Sequence, residues 1–283
     1  MARRPTAATL RRLDTRLRGV AADRRTGAAG LAAAIVDAIA DAARAPPRGV
    51  GPGDASLART VRDRLPQTQP ALGPVVRWTG EWKSAGALAP SKRSRWVRSW
   101  LRRERDRLRR EPPGIARSLA AVLPARARVL TFSRSATVAA ALNALRPAQR
   151  PVRVLALESR PGGEGRALAR DLRAKGIPAT CVPDREASQA LDRSDLVLLG
   201  ADAVYRGGEL VHKVGTRGLV ERARRRGVPV FAVAGRSKFV PDRGPPRTLP
   251  ALFDRTPGRW ITGFVTDRGL WRPAGGRRRH SAR

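Results

Sequence analysis

The chain contains little cysteine and little histidine, and these two scarcities exclude several classes of protein. Among its 283 residues there are one cysteine and two histidines. A single cysteine cannot form an internal disulfide, so we expect a reducing compartment and place the protein in the cytoplasm. So few Cys and His residues give no cluster of metal ligands, and we expect neither a metal nor a cofactor.

Long apolar runs are also missing. No run reaches the roughly 18–20 apolar residues that a membrane span requires, and the basic start of the chain lacks the apolar core of a signal peptide. We therefore expect no association with a membrane. No GxGxxG motif follows the first predicted strand, so dinucleotide binding has no support.

Carboxylates are scarce relative to basic side chains. The chain has 58 Lys and Arg against 23 Asp and Glu, a formal net charge of +35. One interpretation is nucleic-acid binding through phosphate contacts. The other is a compositional bias towards Arg, Ala and Gly, because the positive residues are spread along the whole chain. On either interpretation we expect non-specific polyanion binding at low salt.

The hydrophobic pattern predicts helices in the first part of the chain. Apolar residues recur every three or four positions within residues 6–45, which predicts helices there. A further helix is predicted at 54–65, within a segment rich in Pro and Gly, and another at 91–110, ending before Pro112-Pro113. Residues 115–123 are predicted to form the next helix.

From residue 127 the period changes to short β-rich runs that alternate with helical patterns, which is typical of a parallel sheet with right-handed crossovers. The predicted fold class is therefore α/β: a helical N-terminal domain followed by a Rossmann-like parallel-sheet domain. We place the domains at residues 1–125 and 126–273, and predict a disordered basic tail at 274–283.

Two tryptophans lie on one face of the basic helix predicted at 91–110. Trp96 and Trp100 next to arginines could stack on the bases of single-stranded nucleic acid. Such a stripe is more often part of a core, with the arginines solvated, and this is our prediction.

One stretch carries the chemistry of a ligand site. The apolar run 196–199 predicts a buried strand, and Asp202 follows its carboxyl end, where ligands collect in open parallel sheets. Beyond it, Lys213, Gly215 and Thr216 open a helical pattern. Free N–H groups and the helix dipole favour an anion at such a position. The pattern predicts binding of a phosphorylated metabolite.

Several short motifs occur in the order found in one known family. They are GAD at 200–202 with KVGT at 213–216, ESRP at 158–161 with Gly165, GVPV at 227–230 with KF at 238–239, and FD, TP and IT within 253–262. The set resembles the initiation factor 2B alpha/beta/delta-related family, which includes methylthioribose-1-phosphate isomerase and ribose-1,5-bisphosphate isomerase. The resemblance covers residues 128–271. It implies a sugar phosphate or nucleoside monophosphate as the ligand, and a homodimer.

The chain departs from the isomerases in the loop after the first strand. The isomerases read LTHC there, and their cysteine works with the GAD aspartate. Here Phe132 and Ser133 replace the His and the Cys. Aldose–ketose isomerisation moves a proton between C1 and C2; a thiol can take that proton, whereas a serine hydroxyl needs a strong base beside it. Cys181, on the third predicted strand, is interpreted as a buried small residue.

The resemblance and the local pattern together define the candidate site residues. Asp202 is the predicted acid–base residue, with Ser133 at the family's cysteine position. Glu164 stands where the family has Gln, and it predicts an altered ligand or one recognised through hydroxyl groups. The predicted ligand-binding residues are Arg134, Arg160, Glu164, Lys213, Gly215 and Thr216.

Three functions remain open at this point. The first is binding of a sugar phosphate or nucleoside monophosphate without cysteine-dependent catalysis. The second is an aldose-phosphate isomerase acting on ribose 1,5-bisphosphate or methylthioribose 1-phosphate. The third is a translation-related or nucleic-acid-binding regulator, for which the tryptophan face of the basic helix is the expected contact surface.

Overall fold

The structure is a computed structural model, and it describes residues 7–23, 26–44, 54–145, 151–241 and 244–273. The tail predicted at residues 274–283 lies outside these ranges. The chain forms two compact units, Met1–Arg109 and Arg110–Arg283. Among the described residues, no helix is both long enough and apolar enough to cross a bilayer.

The first unit is helical, as the sequence predicts. Its helices are α1 (Ala7–Ala22), α2 (Ala28–Ala43), α3 (Ala55–Arg64), α4 (Gly73–Ala85) and the long α5 (Pro90–Ala120), which continues into the second unit. The carboxylate of Asp54 caps α3 by accepting the N–H of Ser56 at 2.6 Å. Trp78, Trp82 and Trp100 are fully buried in the core of this unit.

Two predictions for this region are wrong. Pro112 and Pro113 lie inside α5 instead of ending a helix. Proline keeps φ near the helical value, so a helix continues where packing outweighs the lost hydrogen bonds, and Trp100 and Ile115 are buried on either side. The segment rich in Pro and Gly also contains a second helix, α4, whose two buried tryptophans are four residues apart.

The second unit is built on a mostly parallel sheet. In chain order its elements are β1 (Arg128–Phe132), α6 (Ala136–Asn143), β2 (Arg153–Leu157), α7 (Glu164–Ala174), β3 (Ala179–Val182), α8 (Ala187–Asp192), β4 (Leu196–Gly200), β5 (Ala203–Val204), β6 (Leu210–Lys213), α9 (Thr216–Arg225), β7 (Val230–Val233), β8 (Phe253–Thr256), β9 (Gly263–Thr266) and β10 (Gly269–Trp271). The strand order is β10-β9-β7-β4-β1-β2-β3. β10 runs antiparallel to β9, and the other neighbouring pairs are parallel.

This architecture confirms the predicted fold class. The sequence predicts β-rich runs at 129–131, 152–157, 179–182, 196–199 and 230–234, and β1 to β4 and β7 coincide with them. A small antiparallel sheet of β5, β6 and β8 was not predicted. Its first strand has only two residues, and β6 and β8 contain the polar residues His212, Lys213 and Asp254, so they lack the continuous apolar runs of the main sheet. Lys213 ends β6, which corrects its assignment to the start of a helix; α9 begins at Thr216.

The connections place the two predicted catalytic residues at one point of the sheet. From β1 the chain adds β2 and β3 on one side, and then β4, β7 and β9 on the other. The direction reverses between β1 and β4, and ligands bind at such a switch point in open α/β sheets. Ser133 follows β1 and Asp202 follows β4, so both lie at the switch point.

Gly165 allows α7 to begin directly against the end of β2. A Cβ atom at Gly165 would lie 1.8 Å from the carbonyl oxygen of Leu157. The N–H of Gly165 donates to the carbonyl oxygen of Glu158 at 3.1 Å. The close approach therefore fixes the first turn of α7, including Glu164, at the carboxyl edge of the sheet.

We predict that Gly165→Ala lowers the free energy of unfolding by about 1–3 kcal/mol or more, because a methyl group has no space there. The control is Gly218→Ala in the first turn of α9, where the new methyl group meets no described atom within 4 Å. The control should stabilise the protein by up to about 1 kcal/mol, since alanine is the better helix former. Urea denaturation gives both values, and a similar effect of the two variants would contradict the close packing of Gly165.

Candidate functional site

The loop after β1 is fixed by hydrogen bonds to the loop after β2. Ser133 has a left-handed backbone with φ of 61°, and Ser159 has φ of 65°. The N–H of Ser133 donates to the Ser159 hydroxyl oxygen at 2.5 Å. The N–H of Ser159 in turn donates to the Asp184 carboxylate at 2.7 Å. Ser133 is thus held at the sheet edge by a chain of contacts that reaches the loop after β3.

Asp202 is brought to the same edge by β4. Its N–H donates to the carbonyl oxygen of Val211 at 2.8 Å, which fixes its backbone beside the small sheet. A Cβ atom at Gly200 would lie 2.5 Å from the Ser135 hydroxyl oxygen, so the loops after β4 and β1 are in close contact. The structure therefore brings together the loops that carry Ser133 and Asp202, as their sequence positions predict.

The Asp202 side chain is a partly buried carboxylate with two lysines near it. Burial raises the pKa of Asp202 to about 6, while the charges of Lys238 and Lys213 act in the opposite direction. No hydrogen bond from the described residues reaches its carboxylate. A carboxyl group with a pKa close to neutrality and no internal partner is suited to accept or donate a proton.

Lys238 is a site residue that sequence reasoning missed. It lies in a 3-10 turn after β7 and is only 4% exposed. Its Nζ donates to the carbonyl oxygen of Ala201 at 2.6 Å and to the Thr137 hydroxyl at 3.3 Å. Burial lowers the pKa of the Lys238 ammonium group, and Asp202 opposes this. The only sequence signal for it was its place in the KF motif.

Lys213, one of the predicted phosphate ligands, is ion-paired inside the protein. Its Nζ lies 2.5 Å from Oε1 of Glu164, the first residue of α7. The other oxygen of Glu164, Oε2, is buried and has no hydrogen-bond partner among the described residues. The residue that replaces the family's Gln thus neutralises the lysine and leaves one carboxylate oxygen without a donor.

The N-terminus of α9 also has an internal anion. Gly215 has φ of 93° and is the N-cap residue immediately before α9, and the ring of Phe132 lies beside it, 3.0 Å from where a Cβ would stand. The N–H groups of Gly215 and Arg217 both donate to the Asp254 carboxylate at 3.3 Å. The Thr216 hydroxyl donates to the carbonyl oxygen of Lys213 at 2.7 Å.

The two arginines of the predicted ligand set have local partners. Arg134 is ion-paired with Asp171 of α7 at 2.7 Å, and Arg160 with Glu158 at 3.1 Å. Both guanidinium groups are largely exposed. Within the described ranges, neither forms an ion pair with Asp202, so the structure does not join them to the group of residues around that carboxylate.

The remaining candidate groups are structural. His212 is buried with its Nε2 2.7 Å from the Thr256 hydroxyl, and burial lowers its pKa to about 4, so it is neutral near pH 7. Cys181 is half-buried, not fully buried as its strand position predicts, and burial raises the pKa of its thiol. Trp100 is buried and Trp96 is partly buried against the same core, which confirms the core prediction for this pair.

The parallel sheet with its polar residues at the switch point defines a Rossmann-like α/β protein. Residues 97–244, half of the chain, match the Initiation factor 2 subunit family, and the chain belongs to that family. The resemblance inferred from the short motifs is thereby confirmed.

Relatives of the chain include sugar-phosphate isomerases. Ribose 1,5-bisphosphate isomerase of Haloferax volcanii is 30% identical over 170 residues, which cover 51% of this chain and 53% of that enzyme. Methylthioribose-1-phosphate isomerase of Heliobacterium modesticaldum is 31% identical over 190 residues, covering 54% and 55%. The chain spans about half the length of the curated relatives it matches.

A solved structure extends the likeness over nearly the whole chain. Translation initiation factor eIF-2B of Pyrococcus horikoshii OT3 has a TM-score of 0.79 at 23% identity, covering 93% of this chain and 98% of that chain. At this level of identity the likeness shows a shared fold.

We predict that Asp202→Asn changes the pH dependence of stability. The pKa of Asp202 is raised from its ordinary 3.8 to about 6, so the folded state binds more protons than the unfolded state between about pH 4 and 6. The free energy of unfolding therefore falls as pH rises through this window, by up to about 3 kcal/mol from this group. The variant lacks this fall, so its free energy of unfolding relative to that of the wild type should increase from pH 4 to 7 in urea denaturation.

Asp195→Asn is the matched control for this measurement. The Arg128 side chain and N–H lower the pKa of Asp195, so its contribution to stability grows as pH rises, and the variant should lose ground to the wild type. A pH-independent difference for Asp202→Asn, or one of the same sign as the control, would contradict the assignment.

Proposed function

We propose that the protein binds a phosphorylated small molecule, a sugar phosphate or a nucleoside monophosphate, at the carboxyl ends of β1 and β4. The observation that carries this proposal is the Asp202 carboxylate, which accepts no hydrogen bond from the described residues and has Lys213 and Lys238 near it. Leaving a partly buried polar group without a partner is unfavourable. A ligand hydroxyl is the partner that a carboxylate requires, and an ammonium group suits a phosphate.

The proposed ligand binds through two neighbouring groups. Its phosphate contacts Lys213 in place of Glu164, whose ion pair with the lysine must open. The Glu164 carboxylate, with one oxygen already lacking a donor, then accepts a hydroxyl of the same ligand. A ligand with both a phosphate and free hydroxyl groups, such as a ribose phosphate, meets both requirements.

A homodimer remains part of this proposal, since the family resemblance implies it. The repulsion between two strongly basic subunits acts against pairing at low salt and is screened as ionic strength rises.

An aldose-phosphate isomerase is the second candidate function. The pKa of Asp202, near 6, favours it, because that value suits a group that transfers protons near neutral pH. Ser133 is the observation against it. Among the described residues, no histidine or carboxylate is hydrogen-bonded to the Ser133 hydroxyl, so no base is bonded to it that would activate it in place of the thiol.

We predict that a ribose phosphate or nucleoside monophosphate raises the melting temperature, since a ligand that binds only the folded state stabilises it. Lys213→Ala should remove most of this shift. The control Lys175→Ala removes an exposed lysine at the end of α7 and should leave the shift intact. Equal shifts in the wild type and Lys213→Ala would contradict the proposed phosphate contact.

We predict little or no isomerisation of ribose 1,5-bisphosphate or methylthioribose 1-phosphate by the wild type. Loss of one acid–base group costs about 10²–10⁴ in rate, and Ser133→Cys should restore a trace of turnover. The measurement is formation of the ketose product. Robust wild-type turnover that Asp202→Asn abolishes would establish the isomerase and exclude the non-catalytic alternative.

A further inference from the structure

Three charged side chains, Glu111, Lys238 and Asp202, come together beside the carboxyl ends of β4 and β7. Glu111 lies on α5 and is 7% exposed, and Lys238 is 4% exposed. Charged groups are seldom buried to this extent without a partner. The proposed ligand contacts of Lys213 do not explain why Glu111 and Lys238 are buried.

Glu111 holds the turn that carries Lys238. Its carboxylate accepts the N–H of Ser237 at 2.5 Å and the Ser237 hydroxyl at 2.7 Å. A Cβ atom at Gly235 would lie 2.1 Å from Oε2 of Glu111, so only glycine permits this approach. The residue immediately before Lys238 is thus fixed on both its backbone and its side chain.

The ammonium group at the end of the Lys238 side chain is also held by hydrogen bonds. Two of its three hydrogens are directed at the carbonyl oxygen of Ala201 and at the Thr137 hydroxyl. Ala201 directly precedes Asp202, so the contact fixes the ammonium group next to the backbone that carries the carboxylate. Two loops and α6 therefore determine where this positive charge lies.

The charged groups of this cluster shift one another's pKa values. Asp202 is affected by Lys238 and Lys213, and Lys238 by Asp202 and Glu111. Burial raises the pKa of Glu111; the hydrogen bonds from Ser237 and the charge of Lys238 oppose this rise, and Asp267 adds to it. The Lys238 ammonium group forms no ion pair with Asp202 or Glu111 among the described residues, but its charge acts on both carboxylates from its fixed place beside Ala201. Without that charge, burial would drive either carboxylate further towards the neutral form.

We propose that Lys238 is a positioning residue whose buried ammonium group, fixed by Ala201, Thr137 and the clamp of Glu111 on Ser237, keeps Asp202 ionised near neutral pH. An ionised Asp202 accepts a hydrogen bond or a proton from a ligand, whereas a neutral one donates. The inference rests on the proposed function, because it concerns the same carboxylate, and it assigns the control of that carboxylate to a residue outside ligand contact.

The test is a titration of the Asp202 carboxyl carbon by NMR in protein labelled with ¹³C-aspartate, with the resonance assigned from Asp202→Asn. Lys238→Met should raise the titration midpoint of Asp202 by about 1–3 pH units, the usual effect of an opposite charge at close range. The exposed control, Lys175→Met, should leave the midpoint unchanged. A purely structural role for Lys238 predicts no change of midpoint in a folded variant.

A second substitution keeps the test decisive if Lys238→Met does not fold. Lys238→Gln removes the charge but retains an N–H donor for the Ala201 carbonyl oxygen, and the same upward movement is expected. A midpoint within about 0.3 pH units of the wild type in a folded Lys238→Gln or Lys238→Met protein would overturn the proposal, given the size of the effect expected from a close charge. The titration contains no ligand, so its result is separate from that of the melting experiment.

Discussion

The pairing of β4 with β1 on one side and with β7 on the other is the constraint on which the candidate site depends. Three parallel strands end at one edge, so the residues that follow them are brought together without any sequence proximity. Asp202 follows β4, Ser133 follows β1 and Lys238 follows β7. A shift of register in either pair would separate the carboxylate from its buried cation.

Close packing of the loops makes this edge rigid. Where the chain has Gly165, Gly200 and Gly235, an added methyl group would meet a carbonyl, a hydroxyl or a carboxylate within 2.5 Å. Each glycine therefore marks a close contact: α7 against the end of β2 at Gly165, the loops after β4 and β1 at Gly200, and the segment after β7 against Glu111 of α5 at Gly235. Interiors packed this closely hold side chains in single arrangements, and proton transfer or selective hydrogen bonding requires such fixed positions.

The two positive groups predicted to bind a phosphate, the Lys213 ammonium group and the N-terminus of α9, already have carboxylate partners within the protein. Glu164 pairs with Lys213, and Asp254 accepts the N–H groups at the start of α9. Asp202 differs, because its two lysines are near it but no described group donates a hydrogen bond to its carboxylate. The arrangement makes Asp202 the centre of the site, with the helix N-terminus in a supporting role.

The fold and the place of the site were predictable from the sequence, because strand periodicity and topology depend on many residues. The α/β class, the five apolar strands β1 to β4 and β7, and the positions of Ser133 and Asp202 at strand ends follow from these patterns. Contacts between distant side chains did not follow, since the Lys213–Glu164 pair joins residues 49 positions apart and Glu111 lies 126 positions from Ser237. No local pattern encodes such pairs.

The proline pair in α5 is a case in which a strong local signal gives the wrong prediction. Local rules give Pro112-Pro113 a strong preference to end a helix, and tertiary packing overrides it. Glu111 directly precedes the pair, and its buried carboxylate is held by Ser237. Glu111, for which the sequence predicts no role, therefore lies in the part of α5 that the local rule predicts to be outside a helix.

The ion pair between Lys213 and Glu164 has a consequence for how binding responds to salt. An exposed lysine attracts a phosphate through a charge that salt screens, so the affinity falls as the ionic strength rises. In the proposed binding mode, the phosphate would replace the Glu164 carboxylate at Lys213, so one charge pair would be exchanged for another. Binding in that mode would depend weakly on ionic strength, whereas polyanions held by the exposed arginines of a chain with charge +35 would be released as salt rises.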